Sequence, residues 1–233
     1  DVCPVIIPSR FDEGLAEQRA AHKLYPQAAP NAYAIEKRGI VPLAWGENGF
    51  REISNSVKPV KTPSDLKGLK IRVVGSPLFQ DTFTALGANP TQMSWADAKP
   101  ALTTGAVDGQ ENPLSVFDVA RVDQVGQKYL TLWHYMADPL IFAVNQRVWK
   151  ELPEADRELL RQAAIDAGKW EIELSRNSEA KRLEDIRARG VEVTELSEAE
   201  QQAFADATRS VQEKWTSKIG ADLVEAARAA VAK

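Results

Sequence analysis

The chain has 233 residues, enough for one large domain or for two small lobes that each have a core. Its net charge is −4, and the acidic and basic residues are mixed without a basic block, so the sequence predicts no nucleic-acid partner. No apolar run reaches the length of a transmembrane helix, and Cys3 is the only cysteine, so no internal disulfide can form. A single thiol is compatible with both the cytoplasm and the periplasm.

The N-terminal part of the chain is predicted to alternate strands and helices. An apolar strand is expected over residues 2–7, with helices over about 12–24 and 31–37. A strand over 40–45, a turn at 47–49 and another strand over 50–54 then follow.

Short strands separated by helices continue through the rest of the sequence, which indicates an α/β fold. Capping residues predict helix starts at Thr62, Ser76, Ser94, Asn112, Pro153 and Ser197. Strands are predicted at 70–74, from 107 onward, at 140–144 and at 191–193. The helix after Pro153 is the longest and should run to Arg189, with an apolar stripe formed by Leu159, Ala163, Ala167, Trp170 and Leu174.

One arginine, Arg72, stands among apolar residues in the strand at 70–74. Burying an isolated charge costs several kcal/mol, so such an arginine should have an anionic partner. The partner could be a protein carboxylate such as Asp108 or Glu111, or it could be a ligand. Asn112 offers a carboxamide nearby, which could cap its helix or help to hold an anion. A guanidinium with an amide beside it makes a plausible receptor for a small carboxylate.

Several segments together resemble one known family. The sequence contains DLKGLKIRVV at 65–74, LGANPTQMSW at 86–95, GAVDGQENP at 105–113 and DPLIFAVN at 138–145, preceded by WGENGFREISNS at 45–56. In their order and spacing these resemble the solute-binding proteins of tripartite ATP-independent periplasmic (TRAP) transporters. The resemblance covers residue 35 to the C-terminus.

This resemblance implies an α/β, two-lobed periplasmic-binding-protein-like (type II) fold with a long helix that spans both lobes. We expect one lobe to comprise residues 1–48 and 138–177, and the other residues 49–137 and 178–233. The implied protein is a periplasmic monomer without cofactor or metal. It would bind a small organic-acid anion, such as a sugar acid, a keto or hydroxy acid or an aromatic acid, in an inter-lobe cleft. It would then deliver this carboxylate ligand to the membrane permease subunits.

The resemblance also assigns roles to individual residues. Arg72 would pair with the ligand carboxylate, Asn112 and Arg51 would support it, and Trp95 would pack on the ligand. Four further candidates stand beside these motifs, although each is also expected to be structural: Glu47, Ser76, Phe79 and Asp138.

Two departures from the family pattern stand out. About ninety residues of a typical member would precede Asp1, so part of the half-site that sets substrate choice would lie outside this chain. Pro100 falls inside the helix that begins after Ser94 and should kink it, which affects the placement of Trp95.

Two other functions are compatible with the residues. One is an α/β enzyme that acts on a small carboxylate, with His134 and either Asp138 or Glu47 as acid and base. The other is an extracytoplasmic sensor lobe for the same ligands. No nucleophile is paired with His134 in sequence, and neither metal-ligand spacing nor a phosphate-binding loop is present. The sequence therefore favours a binding protein over an enzyme.

Overall fold

The computed structural model describes residues 39–222, 224 and 225; the strand predicted at 2–7 and the helices predicted at 12–24 and 31–37 lie outside them. The described part contains seven strands: β1 Ile40–Asn55, β2 Lys70–Val73, β3 Asn89–Gln92, β4 Gly109–Pro113, β5 Tyr129–Leu132, β6 Ala137–Asn145 and β7 Glu192–Glu195. Its α-helices are α1 Pro77–Ala85, α2 Trp95–Thr104, α3 Leu114–Val119, α4 Gln146–Glu151, α5 Glu154–Ala188 and α6 Glu198–Ile219. Short 3-10 helices occupy Pro63–Leu66 and Val122–Val125.

The long strand β1 belongs to two sheets. Its second part lies in a six-stranded sheet of order β3-β2-β4-β1-β5-β7, antiparallel to both neighbours, while its first part pairs only with β6 among the described strands. The change of partner falls between Phe50, which faces β6, and Arg51, which faces β4. The crossing strand therefore carries Arg51 to the junction of the two sheets.

The turn predicted at residues 47–49 is wrong, because β1 runs through it without a break. The strand instead has two register irregularities, and the second lies between Glu47 and Gly49. Gly49 has a φ of +106°, a conformation that side chains with a Cβ rarely adopt. Gly49 therefore belongs to a β-bulge that changes the direction of a continuous strand, and not to a turn between two strands.

Most predicted helix boundaries are confirmed. Ser94 accepts a hydrogen bond from the Asp97 N–H at 3.3 Å, and Ser197 forms a capping box with Glu200. Helix α2 continues through Pro100 to Thr104. One predicted start is wrong: Asn112 lies in β4, and α3 begins at Leu114 with Pro113 at its N-cap.

Helix α5 has the predicted length but packs through a different face. The residues of the predicted stripe are exposed, with Leu159 at 69% and Trp170 at 64%. The buried face instead carries Ala164 and Gly168. A Cβ at Gly168 would lie 2.5 Å from the Trp45 carbonyl oxygen, so only glycine allows α5 to approach β1 so closely. Small residues, rather than the large apolar ones, set this contact.

The alternation of side chains along β2 determines which of them enter the apolar core and which point to the opposite face of the sheet. Ile71 and Val73 belong to a buried apolar cluster that also contains Ile53, Phe79 and Phe83. Because successive side chains of a strand point to opposite faces, Arg72 points away from this cluster. A second cluster surrounds Phe117 and Leu130. None of the described helices is both long and apolar enough to cross a membrane.

Candidate functional site

Arg72 is buried, with 3% of its surface exposed. Its Nε and Nη2 atoms donate to the Met93 carbonyl oxygen at 3.2 and 2.9 Å, and its guanidinium carbon lies 5.4 Å from the centre of the Trp95 ring. Among the described residues, no carboxylate forms an ion pair with it. The carbonyl and the ring orient the cation but do not neutralise its charge.

The two acids that sequence reasoning offered as internal partners are bound elsewhere. The Asp108 carboxylate accepts the Lys70 backbone N–H at 2.8 Å, and Glu111 pairs with Arg51. Burial lowers the pKa of Arg72, and the charge of Glu111 offsets this only in part. Arg72 is therefore held as a desolvated cation without a direct counter-ion in the described part of the chain.

Arg51, by contrast, is neutralised inside the protein. Its Nε donates to Glu111 Oε2 at 2.5 Å, its Nη2 to Glu111 Oε1 at 2.9 Å, and its Nη1 to Asp138 Oδ2 at 2.6 Å. Burial is the largest single influence on Arg51 and opposes its charged form, but Glu111, Tyr135 and Asp138 together outweigh it and raise the pKa of the guanidinium. This arrangement joins β1, β4 and β6 at the junction of the sheets.

Asn112 is fixed at both ends of its carboxamide. Its Oδ1 accepts from Arg51 Nη2 at 3.1 Å, and its Nδ2 donates to Gln110 Oε1 at 2.5 Å. Gln110 in turn donates to Ser54, whose hydroxyl donates to Gln127, both at 2.9 Å. This buried relay orients Asn112 and leaves its second amide hydrogen for a further acceptor.

The other candidates fall into two groups. Asp138 and Phe79 contact Arg51 directly, since Phe79 lies under the guanidinium at 5.3 Å. Glu47 is instead directed towards α5, where Arg176 donates to both of its carboxylate oxygens. Ser76 stands at the N-cap of α1 without a side-chain cap bond. The structure thus gathers Arg51, Asn112, Asp138 and Phe79 around one centre.

The acid–base pairing considered for an enzyme is replaced by other partners. His134 Nδ1 lies 2.5 Å from Glu52 Oε1, and Asp138 takes hydrogen bonds from Arg51 and Asn48. Burial opposes protonation of His134, but the Glu52 carboxylate raises the pKa of the imidazole. Among the described residues, no group of acids, histidines or cysteines has the geometry to hold a metal ion.

Sequence reasoning missed several residues, among them Tyr135, which contacts this centre, and Arg176, which lies outside it. Tyr135 donates its hydroxyl hydrogen to Glu111 Oε2 at 2.5 Å, and its burial raises the pKa of the phenol well above its usual value. Arg176 anchors α5 to β1 through Glu47. A charged residue in the middle of a polar helix face carries no signal of a long-range partner, and neither does a tyrosine in an aromatic run.

The mixed α/β fold, in which strand β1 crosses between two sheets and carries the buried Arg51 at the crossing, is shared with two-lobed solute-binding proteins. A family model described as bacterial extracellular solute-binding protein, family 7, matches residues 15–218. The chain belongs to this family, the solute-binding proteins of TRAP transporters, so the resemblance seen in the sequence is confirmed.

Several relatives support the assignment. The chain is 39% identical over 200 residues to a solute-binding protein of Verminephrobacter eiseniae, covering 84% of this chain and 58% of that one. It is 36% identical over 196 residues to the 2,3-diketo-L-gulonate-binding periplasmic protein of Escherichia coli, covering 83% and 59%. The chain thus spans less than two thirds of the length of these relatives.

A solved structure confirms the fold. It is a TRAP periplasmic solute-binding protein of Ralstonia eutropha with (S)-2-acetolactate bound, 52% identical to this chain. The TM-score is 0.91, and the match covers 98% of this chain and 73% of that one. The two-lobed α/β fold expected from the sequence is therefore confirmed.

Proposed function

We propose that this chain belongs to a periplasmic protein that captures a small organic-acid anion and delivers it to the permease subunits of a TRAP transporter. The ligand leaves the site unaltered, so the protein is a carrier and not an enzyme. Family membership supports the transport role, and the relatives named for 2,3-diketo-L-gulonate and 2-acetolactate support the ligand class.

The observation that carries the proposal is the state of Arg72. A desolvated guanidinium with no ion pair among the described residues gains most from an incoming carboxylate, because the attraction acts in a medium of low dielectric constant. The hydrogen bond to the Met93 carbonyl oxygen fixes the plane of the Arg72 guanidinium, so this side chain loses little conformational entropy when a ligand binds. Arg72 therefore binds the ligand carboxylate.

The remaining candidates have supporting roles. Trp95 is 36% exposed and lies over Arg72, so its ring can contact the ligand as well as the cation. Asn112 offers its second amide hydrogen, and Arg51 acts on the ligand through Asn112, whose carbonyl oxygen it holds. Glu47 fastens the crossing strand to α5.

Isothermal titration calorimetry of the full-length protein with a panel of organic acids tests this proposal. Arg72→Ala should weaken binding of the best ligand by about a hundredfold, the effect expected when a buried charge pair is truncated. Arg209→Ala is the control, since that arginine is an exposed partner of Asp206 on α6. A dissociation constant that Arg72→Ala leaves unchanged would contradict the assignment.

Mass spectrometry of the bound molecule separates a carrier from an enzyme. After incubation at a stoichiometric ratio, the ligand released by denaturation should have its original mass and stereochemistry. Accumulation of a product at a rate above that of the Arg72→Ala protein would show instead that the chain performs catalysis.

A further inference from the structure

Gln127 is a buried amide in the loop between the second 3-10 helix and β5. Its Nε2 donates to the Asp108 carbonyl oxygen at 3.2 Å, and its Oε1 accepts from the Ser54 hydroxyl at 2.9 Å. The next residue, Lys128, donates its backbone N–H to the Asn55 carbonyl oxygen at 3.1 Å, which holds the loop against the end of β1. Gln127 is therefore a fixed polar group beside the central sheet.

The register of the sheet lines up the side chains that connect Gln127 with the proposed site. Gln110 on β4 pairs with Ser54 on β1 and with Arg72 on β2. Directly paired residues of neighbouring strands share a face, and so do residues two apart on one strand, such as Gln110 and Asn112. Along this face the Asn112 Nδ2 donates to Gln110 at 2.5 Å, and the Gln110 Nε2 donates to Ser54 at 2.9 Å. The strand pairing thus builds a connection from Gln127 to Asn112.

The two ends of this hydrogen-bonded relay give it a single direction. At one end the Asp108 carbonyl oxygen can only accept, so the Gln127 amide turns its Nε2 towards it. At the other end the Arg51 guanidinium can only donate, so the Asn112 amide turns its Oδ1 towards it. Between these ends every acceptor oxygen receives from the next donor without a mismatch. The orientation of Asn112 is therefore anchored from both sides.

We propose that Gln127 is a positioning residue for ligand binding, because it fixes the amide orientation in which Asn112 meets the ligand. The inference rests on the proposed function, in which the second amide hydrogen of Asn112 is offered to the ligand. Without the Gln127 amide, the Ser54 hydroxyl hydrogen loses its acceptor and is free to turn to Gln110. The Gln110 amide then turns as well and presents an N–H to Asn112 Nδ2. A buried donor that faces a donor is unfavourable, so the Asn112 amide is no longer held in one orientation.

Isothermal titration calorimetry of the full-length protein tests this inference, with 2-acetolactate first and then with the tightest-binding acid of the panel. Gln127→Met keeps the length of the side chain and removes both polar atoms, so it should weaken binding by roughly three- to tenfold, the effect of one buried hydrogen bond. Gln124→Met is the matched control, since Gln124 is exposed in the preceding 3-10 helix. If Arg72→Ala weakens binding and Gln127→Met does not, the inference is overturned and the proposed function stands. If no acid binds, both fail.

A double-mutant cycle separates positioning from a general structural effect. In the Asn112→Ala background there is no amide left to orient, so Gln127→Met should not weaken binding further. Ser54→Ala breaks the same relay one link nearer to Asn112 and should give the same pattern, which keeps the test open if Gln127→Met does not fold. Equal weakening in both backgrounds would show that these variants disturb only the packing, and would overturn the inference.

NMR of the side-chain amide of Asn112 gives a readout that does not depend on affinity. Its signals are identified by their absence in Asn112→Ala. They should shift in Gln127→Met, although two side chains separate the two amides, and should stay in place in Gln124→Met. Signals that Gln127→Met leaves in place would equally contradict the positioning role.

Discussion

Gly109 offers a direct test of how tightly the site-bearing strand β4 is packed. A Cβ at this position would lie 2.3 Å from the Ser54 carbonyl oxygen and 2.9 Å from both Asn55 Cβ and Ile71 Cδ1, whereas ordinary contact begins at 3.4 Å. The backbone oxygen lies about 1 Å inside that limit and has no side-chain freedom with which to move away. Gly109→Ala should therefore push β4 away from β1.

The expected cost is the overpacking term, about 1–3 kcal/mol in the free energy of unfolding, reduced slightly because alanine restricts the unfolded chain. Gly75→Ala is the matched control, since no atom lies within 4 Å of the Cβ position and the backbone there is compatible with alanine. That variant should change stability by less than about 1 kcal/mol and in the stabilising direction.

Urea unfolding followed by circular dichroism measures both variants. The same displacement of β4 would also shift Glu111 and Asn112, so Gly109→Ala should weaken ligand binding while Gly75→Ala should not. If the two variants had equal stability, or if Gly109→Ala were the more stable, the close approach of β1 and β4 described above would be refuted.

Three further predictions concern other parts of the fold. The pKa of His134 in the folded protein lies above its ordinary value of 6.5, so its pair with Glu52 contributes stability that is fully present below pH 6.5 and is lost as the pH rises through the folded-state pKa. NMR titration of the imidazole should therefore give a midpoint above 6.5, and a midpoint at or below that value would contradict the pair. Arg176→Met should lower the free energy of unfolding by roughly 2 kcal/mol, because it removes the guanidinium that binds the buried Glu47 carboxylate. The control Lys169→Met, on the exposed face of α5, should cost almost nothing. Equal losses of stability in urea unfolding would show that the Glu47 pair is unimportant. Trp95→Ala should weaken ligand binding by about tenfold in calorimetry. Trp95→Phe should weaken it less, since a ring remains over Arg72. Unchanged affinity in both variants would show that Trp95 is not part of the binding site.

Much of the architecture could be predicted from local patterns. Helix starts at Ser94 and Ser197 depend on hydrogen bonds within four residues, and the ends at Gly105 and Gly190 depend on a left-handed backbone that glycine adopts readily. The isolated charge of Arg72 in an apolar strand was also a local signal. The family motifs added the fold, because their order and spacing are specific.

The errors arose where a local signal met a tertiary constraint. The Asn48–Gly49 pair predicts a turn in an isolated peptide, yet pairing with β6 on one side of the junction and β4 on the other keeps β1 extended. On α5, large apolar residues predicted the packing face, but the close approach of the Trp45 carbonyl at Gly168 selected a face of small residues instead. The assignment of lobe boundaries stays a prediction.

The sequence by itself determined the helix starts at Ser94 and Ser197 and the strand that carries Arg72, and it predicted an anionic partner for this arginine. Only the tertiary structure decided how the two arginines are paired: among the described residues, Arg51 binds two carboxylates, whereas Arg72 forms no ion pair. Glu111 lies 60 positions from Arg51 in sequence, yet the fold places its carboxylate against that guanidinium. Arg72 instead contacts the Met93 carbonyl oxygen and the Trp95 ring. Electrostatic pairing depends on distance in space, which no local pattern of residues encodes.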